Sequence, residues 1–224
     1  MSRRSADLKT TSYAMLGMLA IRDWSTYELA EHMERGVGRL WPPSARSNLF
    51  TEPKKLVALG LATATESVVG RRPRTEYSIT AEGRRVLQDW LGSTGEPTRI
   101  ESEPLLKLFF ADQGTTEQAK ATIATIQAWA AARAAENVAV ARSYVVGNGP
   151  FPERAAVLAL TGRFLTDFAD MVSDWASWAA GVVDTWPDDP TLARPDWDTF
   201  EAIAGQGLPG PPRPEDDAGR TTPP

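Results

Sequence analysis

Pro42-Pro43-Ser44-Ala45-Arg46-Ser47-Asn48-Leu49-Phe50-Thr51-Glu52-Pro53-Lys54-Lys55-Leu56-Val57-Ala58-Leu59-Gly60-Leu61 is the stretch that decides how the rest of this 224-residue chain is read. Two prolines block a helix from the left, and Ser44 is suited to cap one that starts there. Leu49, Leu56 and Leu59 fall near one side of that helix, with Pro53 between them, and Gly60 ends it. The opposite side carries Ser44, Ser47, Asn48, Thr51, Lys54 and Lys55. It is a short, polar, basic face with no carboxylate at its centre, and such side chains reach base edges and phosphates in a major groove.

The sequence that follows supports this reading. Residues 61–67 and 74–79 alternate apolar and polar positions, which predicts two strands. Between them lies Val68-Val69-Gly70-Arg71-Arg72-Pro73, a turn with Arg74 beside it. A helix followed by a basic-tipped hairpin is the wing of a winged helix-turn-helix. Arginines at such a tip enter the minor groove or clamp the backbone.

Upstream, residues 11–22 place Ala14, Met15, Met18, Leu19 and Ile21 at helical spacing. Ser25-Thr26-Tyr27-Glu28 is a capping box, so a second helix runs over 26–35 with Tyr27, Leu29, Ala30 and Met33 inward, stopped by Gly36 and Gly38. Thr80-Ala81-Glu82-Gly83 opens a further helix through Trp90 and Leu91. The predicted order is helix, helix, recognition helix, hairpin, helix.

With those elements in place, the sequence resembles the PadR-type transcriptional regulators. Thr11-Ser12-Tyr13-Ala14-Met15-Leu16-Gly17-Met18-Leu19 looks like the opening of that family. Ser25-Thr26-Tyr27-Glu28-Leu29 stands where the family has a glycine-tyrosine-glutamate-leucine element. Leu49-Phe50 through Leu59-Gly60-Leu61 resembles its recognition helix, and Tyr77-Ser78-Ile79-Thr80-Ala81-Glu82-Gly83 its wing strand and helix start. Leu105-Leu106-Lys107-Leu108-Phe109-Phe110-Ala111 looks like the longer subfamily, whose C-terminal helical domain dimerises. The similarity covers residues 8–186. Two positions depart from the pattern. Phe50 stands where the family commonly has tyrosine, so a phosphate-contacting hydroxyl is missing, and Pro53 removes a backbone donor inside the recognition helix.

Charge agrees once the chain is divided. The whole protein carries −5, but residues 1–92 hold 14 Lys and Arg against 10 Asp and Glu, a net +4, and the remainder is −9. The basic half is the half with the winged-helix pattern. There is no cysteine, which removes disulfides and thiolate metal sites. The N-terminus lacks the apolar run of a signal peptide, and no window is apolar enough to cross a bilayer, so a cytoplasmic protein without membrane contact is expected.

Residues 93–103 are polar and aperiodic and read as a linker between a DNA-binding domain (1–92) and a helical domain (104–186). Pro104 suits a first helical position for a short apolar helix over 105–111. Thr115-Thr116-Glu117-Gln118 is a second capping box and opens an alanine-rich helix to about residue 146, with Ala119, Ile123, Ile126, Ala130 and Ala134 on one stripe. In the last long helix Phe164, Phe168, Met171, Trp175, Trp178 and Val182 recur at steps of four and three, beside a second row of Leu158, Leu165, Val172 and Ala179. One row can pack within the subunit and the other against a partner. Nine of the 38 residues from 187 to 224 are proline. There Trp197, Phe200 and Ile203 can form one docked turn, and the segment beyond Gly205 is expected to be disordered.

His32 is the only histidine, and it has no nucleophile or metal-binding pattern near it. No phosphate-cradling glycine motif or HExxH pattern occurs, so no catalytic residues, metal or cofactor are expected. The fold expected is mainly α, an N-terminal winged helix-turn-helix joined to a C-terminal helical dimerisation domain. The function expected is that of a homodimeric regulator on a palindromic operator, most simply a repressor. Ser44, Arg46, Ser47, Asn48, Phe50, Thr51, Lys54, Lys55, Arg71, Arg72 and Arg74 are the candidate DNA contacts. Phe109, Phe110, Trp129, Trp175 and Trp178 offer flat surface for a small aromatic effector. Induction by phenolic or drug-like compounds is what the resemblance implies. The alternative is a ligand-binding helical protein that uses its winged helix for protein contacts. The arginine-rich wing speaks against it.

Overall fold

Helix α1 (Thr10–Ile21) leads into a two-residue strand, β1 (Trp24–Ser25), and then helix α2 (Thr26–Arg35). Helix α3 (Asn48–Ala58), strands β2 (Ala62–Val69) and β3 (Arg72–Ile79), and helix α4 (Ala81–Leu91) follow. This computed structural model describes residues 8–42, 45–69 and 72–206, with backbone alone for Ser67, Val69, Arg72 and Pro73. The chain divides into two compact units between Thr98 and Arg99.

Large apolar side chains close the core of the first unit. Met15, Leu16 and Leu19 of α1, Trp24 of β1, Leu29 and Met33 of α2, Leu49 and Leu56 of α3, and Leu61 are all fully buried. The indole N–H of Trp24 donates to the Met18 carbonyl at 2.7 Å, so the largest core residue buries no unpaired donor. The capping box that opens α2 forms as its sequence predicts. The Glu28 amide donates to Ser25 Oγ at 3.3 Å, and the Ser25 amide donates back to the Glu28 carboxylate at 3.0 Å.

The sheet has the order β1-β3-β2, antiparallel throughout. Strand β3 pairs with β2 from Ile79 opposite Ala62 to Arg72 opposite Val69. β1 reaches only Glu76 and Tyr77, so the far end of β3 has one neighbour and tolerates Pro73. Gly60, at φ +73, makes the left-handed exit from α3. The Leu61 carbonyl then takes the Thr80 amide at 3.1 Å, and Thr80 caps α4 through the Gly83 amide. A Cβ at Gly83 would lie 2.1 Å from the Leu61 carbonyl oxygen, so only glycine lets α4 start this close to the strand.

Four sequence expectations need correction. Helix α3 begins at Asn48 rather than Ser44, because Ala45, Arg46 and Ser47 form a tighter i→i+3 turn (Asn48 N to Ala45 O, 3.1 Å) before the α pattern starts. Tyr27 is 69% exposed, because the inward stripe of α2 is Leu29, Ala30 and Met33, which leaves position 27 off the core face. The strands run through most of the expected turn, to Val69 on one side and from Arg72 on the other. Trp197, Phe200 and Ile203 form helix α8 (Trp197–Ala204), but all three side chains stay exposed instead of docking. The expectations for Ser44, Gly70, Arg71 and the residues beyond 206 fall outside the described residues, as does that for the Arg72 side chain.

The second unit is helical. α5 (Glu103–Phe109), α6 (Thr116–Val145) and α7 (Ala155–Asp184) are its main elements, α6 and α7 at 30 residues each. Thr115 and Gln118 form the predicted capping box of α6. Thr116 then holds the far end of the unit, its amide donating to the Asp188 carbonyl at 3.3 Å and its hydroxyl to the Pro187 carbonyl at 2.5 Å. Between the long helices the core is Ala119, Ile123 and Ile126 against Ala176, Ala179 and Val183. The fully buried stripe of α7 is therefore Ala169, Ala176 and Val183, seven residues apart, with Ala179 beside it. Neither predicted row fills it. Small side chains let the two backbones approach and leave the bulkier residues at the margins.

Candidate nucleic-acid interface

Helix α3 presents two faces. Leu49, Pro53 and Leu56 are buried under it, and Ser47, Asn48, Thr51 and Lys54 are exposed on the other side. Pro53 cannot donate to the Leu49 carbonyl, and this falls on the buried side, away from the polar face. The Thr51 hydroxyl lies 3.3 Å from the Asn48 carbonyl and 3.4 Å from that of Ser47, so it rests on its own helix. Phe50 is partly exposed at the edge of the face.

The flanking cations are held by carboxylates at different depths. Arg46 Nε lies 2.9 Å from Glu34 on α2, a pair tying the turn that leads into α3 to the helix before it. Lys55 Nζ lies 3.6 Å from Glu52, one turn back on α3. Arg74, expected near the wing tip, sits further down β3, where its guanidinium donates to Glu28 at 3.1 Å and Glu76 at 3.3 Å. Arg22 stacks over the Trp24 ring at 3.7 Å and stands 4.0 Å from Glu28. The Ser25 hydroxyl and amide, then Arg74 and Arg22, hold the Glu28 carboxyl below its ordinary 4.5 against the opposing effect of burial. Glu28 thus caps α2 and fastens the wing strand to it.

Sequence reasoning misses two of these groups. Glu28 reads locally as a cap alone, and its place opposite the β3 arginines is a tertiary matter. Glu52 reads locally as a partner of Lys55 alone, and its hydrogen bond from the Ser12 hydroxyl comes from 40 residues away in the chain.

The five aromatic candidates of the helical unit are not gathered in one place. Phe109, 79% exposed, and Phe110 meet edge to face at 5.0 Å on and just after α5. Trp129 meets Phe168 across the α6–α7 margin at 6.1 Å. Trp175 packs against the α6–α7 core, while Trp178 is 48% exposed. A hollow of about 640 Å³ between α5 and the start of α6 is lined by Leu106, Phe110, Gln118 and Thr122 among others, and includes none of the three tryptophans. Among the described residues, no group of three His, Cys, Asp or Glu could hold a metal, and no helix is long and apolar enough to cross a membrane.

Residues 100–184 match the family described as Virulence activator alpha C-term. The negative transcriptional regulator PadR of Bacillus subtilis (strain 168) is 28% identical over 105 residues, which are 46% of this chain and 57% of that protein. The match thus spans little more than half the length of that relative. The chain is similar to PadR in sequence over that stretch, and its fold is that of the solved PadR structures. The crystal structure of Bacillus subtilis PadR in complex with operator DNA superimposes with a TM-score of 0.64 at 19% identity, covering 78% of this chain and 99% of the other. The same regulator in complex with p-coumaric acid gives 0.60 at 19% identity, covering 79% and 99%. The Vibrio cholerae virulence activator AphA gives 0.59 at 19% identity, covering 78% and 98%.

Proposed function

We propose that this chain is a DNA-binding transcriptional regulator that acts in the cytoplasm as a homodimer and represses until a small aromatic effector releases it. The role is binding rather than catalysis. The observation that carries the reading is the exposed face of α3, where Ser47, Asn48, Thr51 and Lys54 form a polar, cationic surface on a winged helix-turn-helix. Operator DNA bound to one relative and p-coumaric acid bound to the same relative support it.

In this reading Asn48 and Thr51 meet base edges, and Phe50 lies against the sugar or a thymine methyl. Ser44, Ser47, Arg46, Lys54, Lys55 and the wing residues Arg71 and Arg72 hold phosphates. Arg74 serves chiefly to fix the wing to α2, because its guanidinium is already shared by two carboxylates. The exposed row Phe164, Met171 and Trp178 on α7 supplies the dimer face. Two subunits then read two half-sites, which makes the second contact effectively intramolecular. An effector changes DNA affinity only by preferring one arrangement of the dimer, so it must itself bind more weakly once DNA is bound.

The test is the salt dependence of binding to the DNA upstream of the chain's own coding sequence. Lys54→Ala should weaken binding to every sequence and lower the slope of log K against log salt by about one unit for each half-site. Asn48→Ala should instead relax preference at particular base pairs. An unchanged slope for Lys54→Ala sinks the assignment of α3.

A further inference from the structure

Helix α3 carries one carboxylate, Glu52, on the margin between its buried and exposed faces. At 3.6 residues per turn it stands one turn from both Asn48 and Lys55, two of the proposed DNA contacts. A negative charge there opposes the approach of a phosphate backbone. The fold hides it. The Glu52 side chain is 14% exposed and points under the helix toward α1. There it accepts the hydroxyl of Ser12, a residue buried completely, whose oxygen in turn accepts the Lys9 amide at 3.1 Å. Lys55 Nζ, half-buried, stands 3.6 Å from the same carboxylate oxygen.

We propose that Ser12 is a positioning residue for DNA binding, which keeps the Glu52 carboxylate turned away from the phosphates. The proposal rests on the reading of α3 as the DNA-reading helix. Ser12 holds one hydroxyl proton and gives it to Glu52, so it is the fixed donor on the buried side. Without that donor, the carboxylate is left with Lys55 and water as its partners, and it is free to swing out toward the DNA side. A largely desolvated carboxylate takes the better-solvated rotamer when its buried donor is lost. Lys55 is then drawn into a tighter pair with it, and the face loses effective positive charge twice over.

The arrangement makes a prediction that simple structural damage does not. Ser12→Ala should weaken binding of the full chain to a mixed-sequence duplex by about fivefold at low salt, the size of one unit charge brought within several ångströms of a phosphate. That loss should shrink as salt rises, because it is repulsion between exposed charges. Ser12→Ala combined with Glu52→Gln should restore binding to the level of Glu52→Gln alone, which equals or exceeds the original chain.

Should Ser12→Ala unfold α1, Glu52→Asp against Glu52→Gln tests the same idea at the rim. Aspartate keeps the charge but is too short for Ser12, so it weakens binding, whereas glutamine does not. The proposal is overturned if the double variant stays as weak as Ser12→Ala, if the loss is independent of salt, or if Glu52→Gln binds as poorly as Glu52→Asp. If the original chain fails to bind any duplex, the DNA reading falls instead.

Discussion

The two units bury apolar surface by opposite means. The first packs large side chains, Trp24, Met15, Leu16, Leu29, Met33, Leu49 and Leu56, into a core that leaves each of them fully enclosed. The second brings α6 and α7 together mostly over alanines, Ala119, Ala130, Ala169, Ala176 and Ala179, with Ile123, Ile126 and Val183 among them, and leaves Phe164, Met171 and Trp178 facing outward. A core of large residues closes on itself and needs no second chain. A seam of small residues gives close backbone contact but covers little apolar area, so stability of the helical unit waits on whatever covers its aromatic margin. This difference accords with the proposed division of labour, in which the first unit reads DNA and the second assembles the dimer.

The largest effect should come from hollowing the first unit. Leu56→Ala removes a fully enclosed side chain on the underside of α3. It should lower stability by about 2–5 kcal/mol in urea unfolding, because the surrounding core relaxes only partly. A loss near zero would mean that this core is loosely packed and that the contrast between the units is false.

The helical unit should respond to the reverse change. Ala176→Leu forces a branched side chain between α6 and α7 where Ala176 has no exposed surface, and should cost about 1–3 kcal/mol. Trp178→Ala, on the exposed side of the same helix, should leave helix content intact while shifting sedimentation toward the monomer. If instead Trp178→Ala melts α7 and Ala176→Leu is silent, the aromatic margin is intrachain core and the small-residue seam is not.

The smallest effect concerns acid. Glu28 has its folded value lowered, chiefly by its hydrogen bonds with Ser25, so its contribution is present above pH 4.5 and is lost as pH falls through the depressed value. Its side chain is 35% exposed, and water screens the ion pairs with Arg74 and Arg22. The contribution should stay below about 1 kcal/mol. Glu28→Gln should remove this part of the acid dependence in the first unit and leave the helical unit's unfolding profile as it was.

Local signals are the legible ones. The two capping boxes, the left-handed exit at Gly60, the alanine stripe of α6 and the helix–hairpin–helix order each depend on residues within a turn or two, where backbone chemistry is settled by neighbours in sequence. The start of α3 is misread from sequence because Ser44 is a good cap by residue type, whereas the helix starts after Ser47, which makes no side-chain cap bond. Tyr27 is misassigned because a ten-residue helix offers too few turns to fix which flank of the stripe is buried.

The sequence by itself determined the element order, the basic polar face of α3 and the surplus of apolar residues on α7, since composition and period are properties of one segment. Only the tertiary structure decided that Glu52 turns under α3 to Ser12, that Arg74 binds Glu28 below the wing tip, and that alanines and Val183 of α7 take the centre of the contact with α6 while its aromatics stay at the margin. Each of these is a choice among several partners that a side chain could reach. Such a choice is made by what stands opposite once the backbone is placed: a hydroxyl 40 residues upstream, a carboxylate on another helix, or the core side chains of a neighbouring helix.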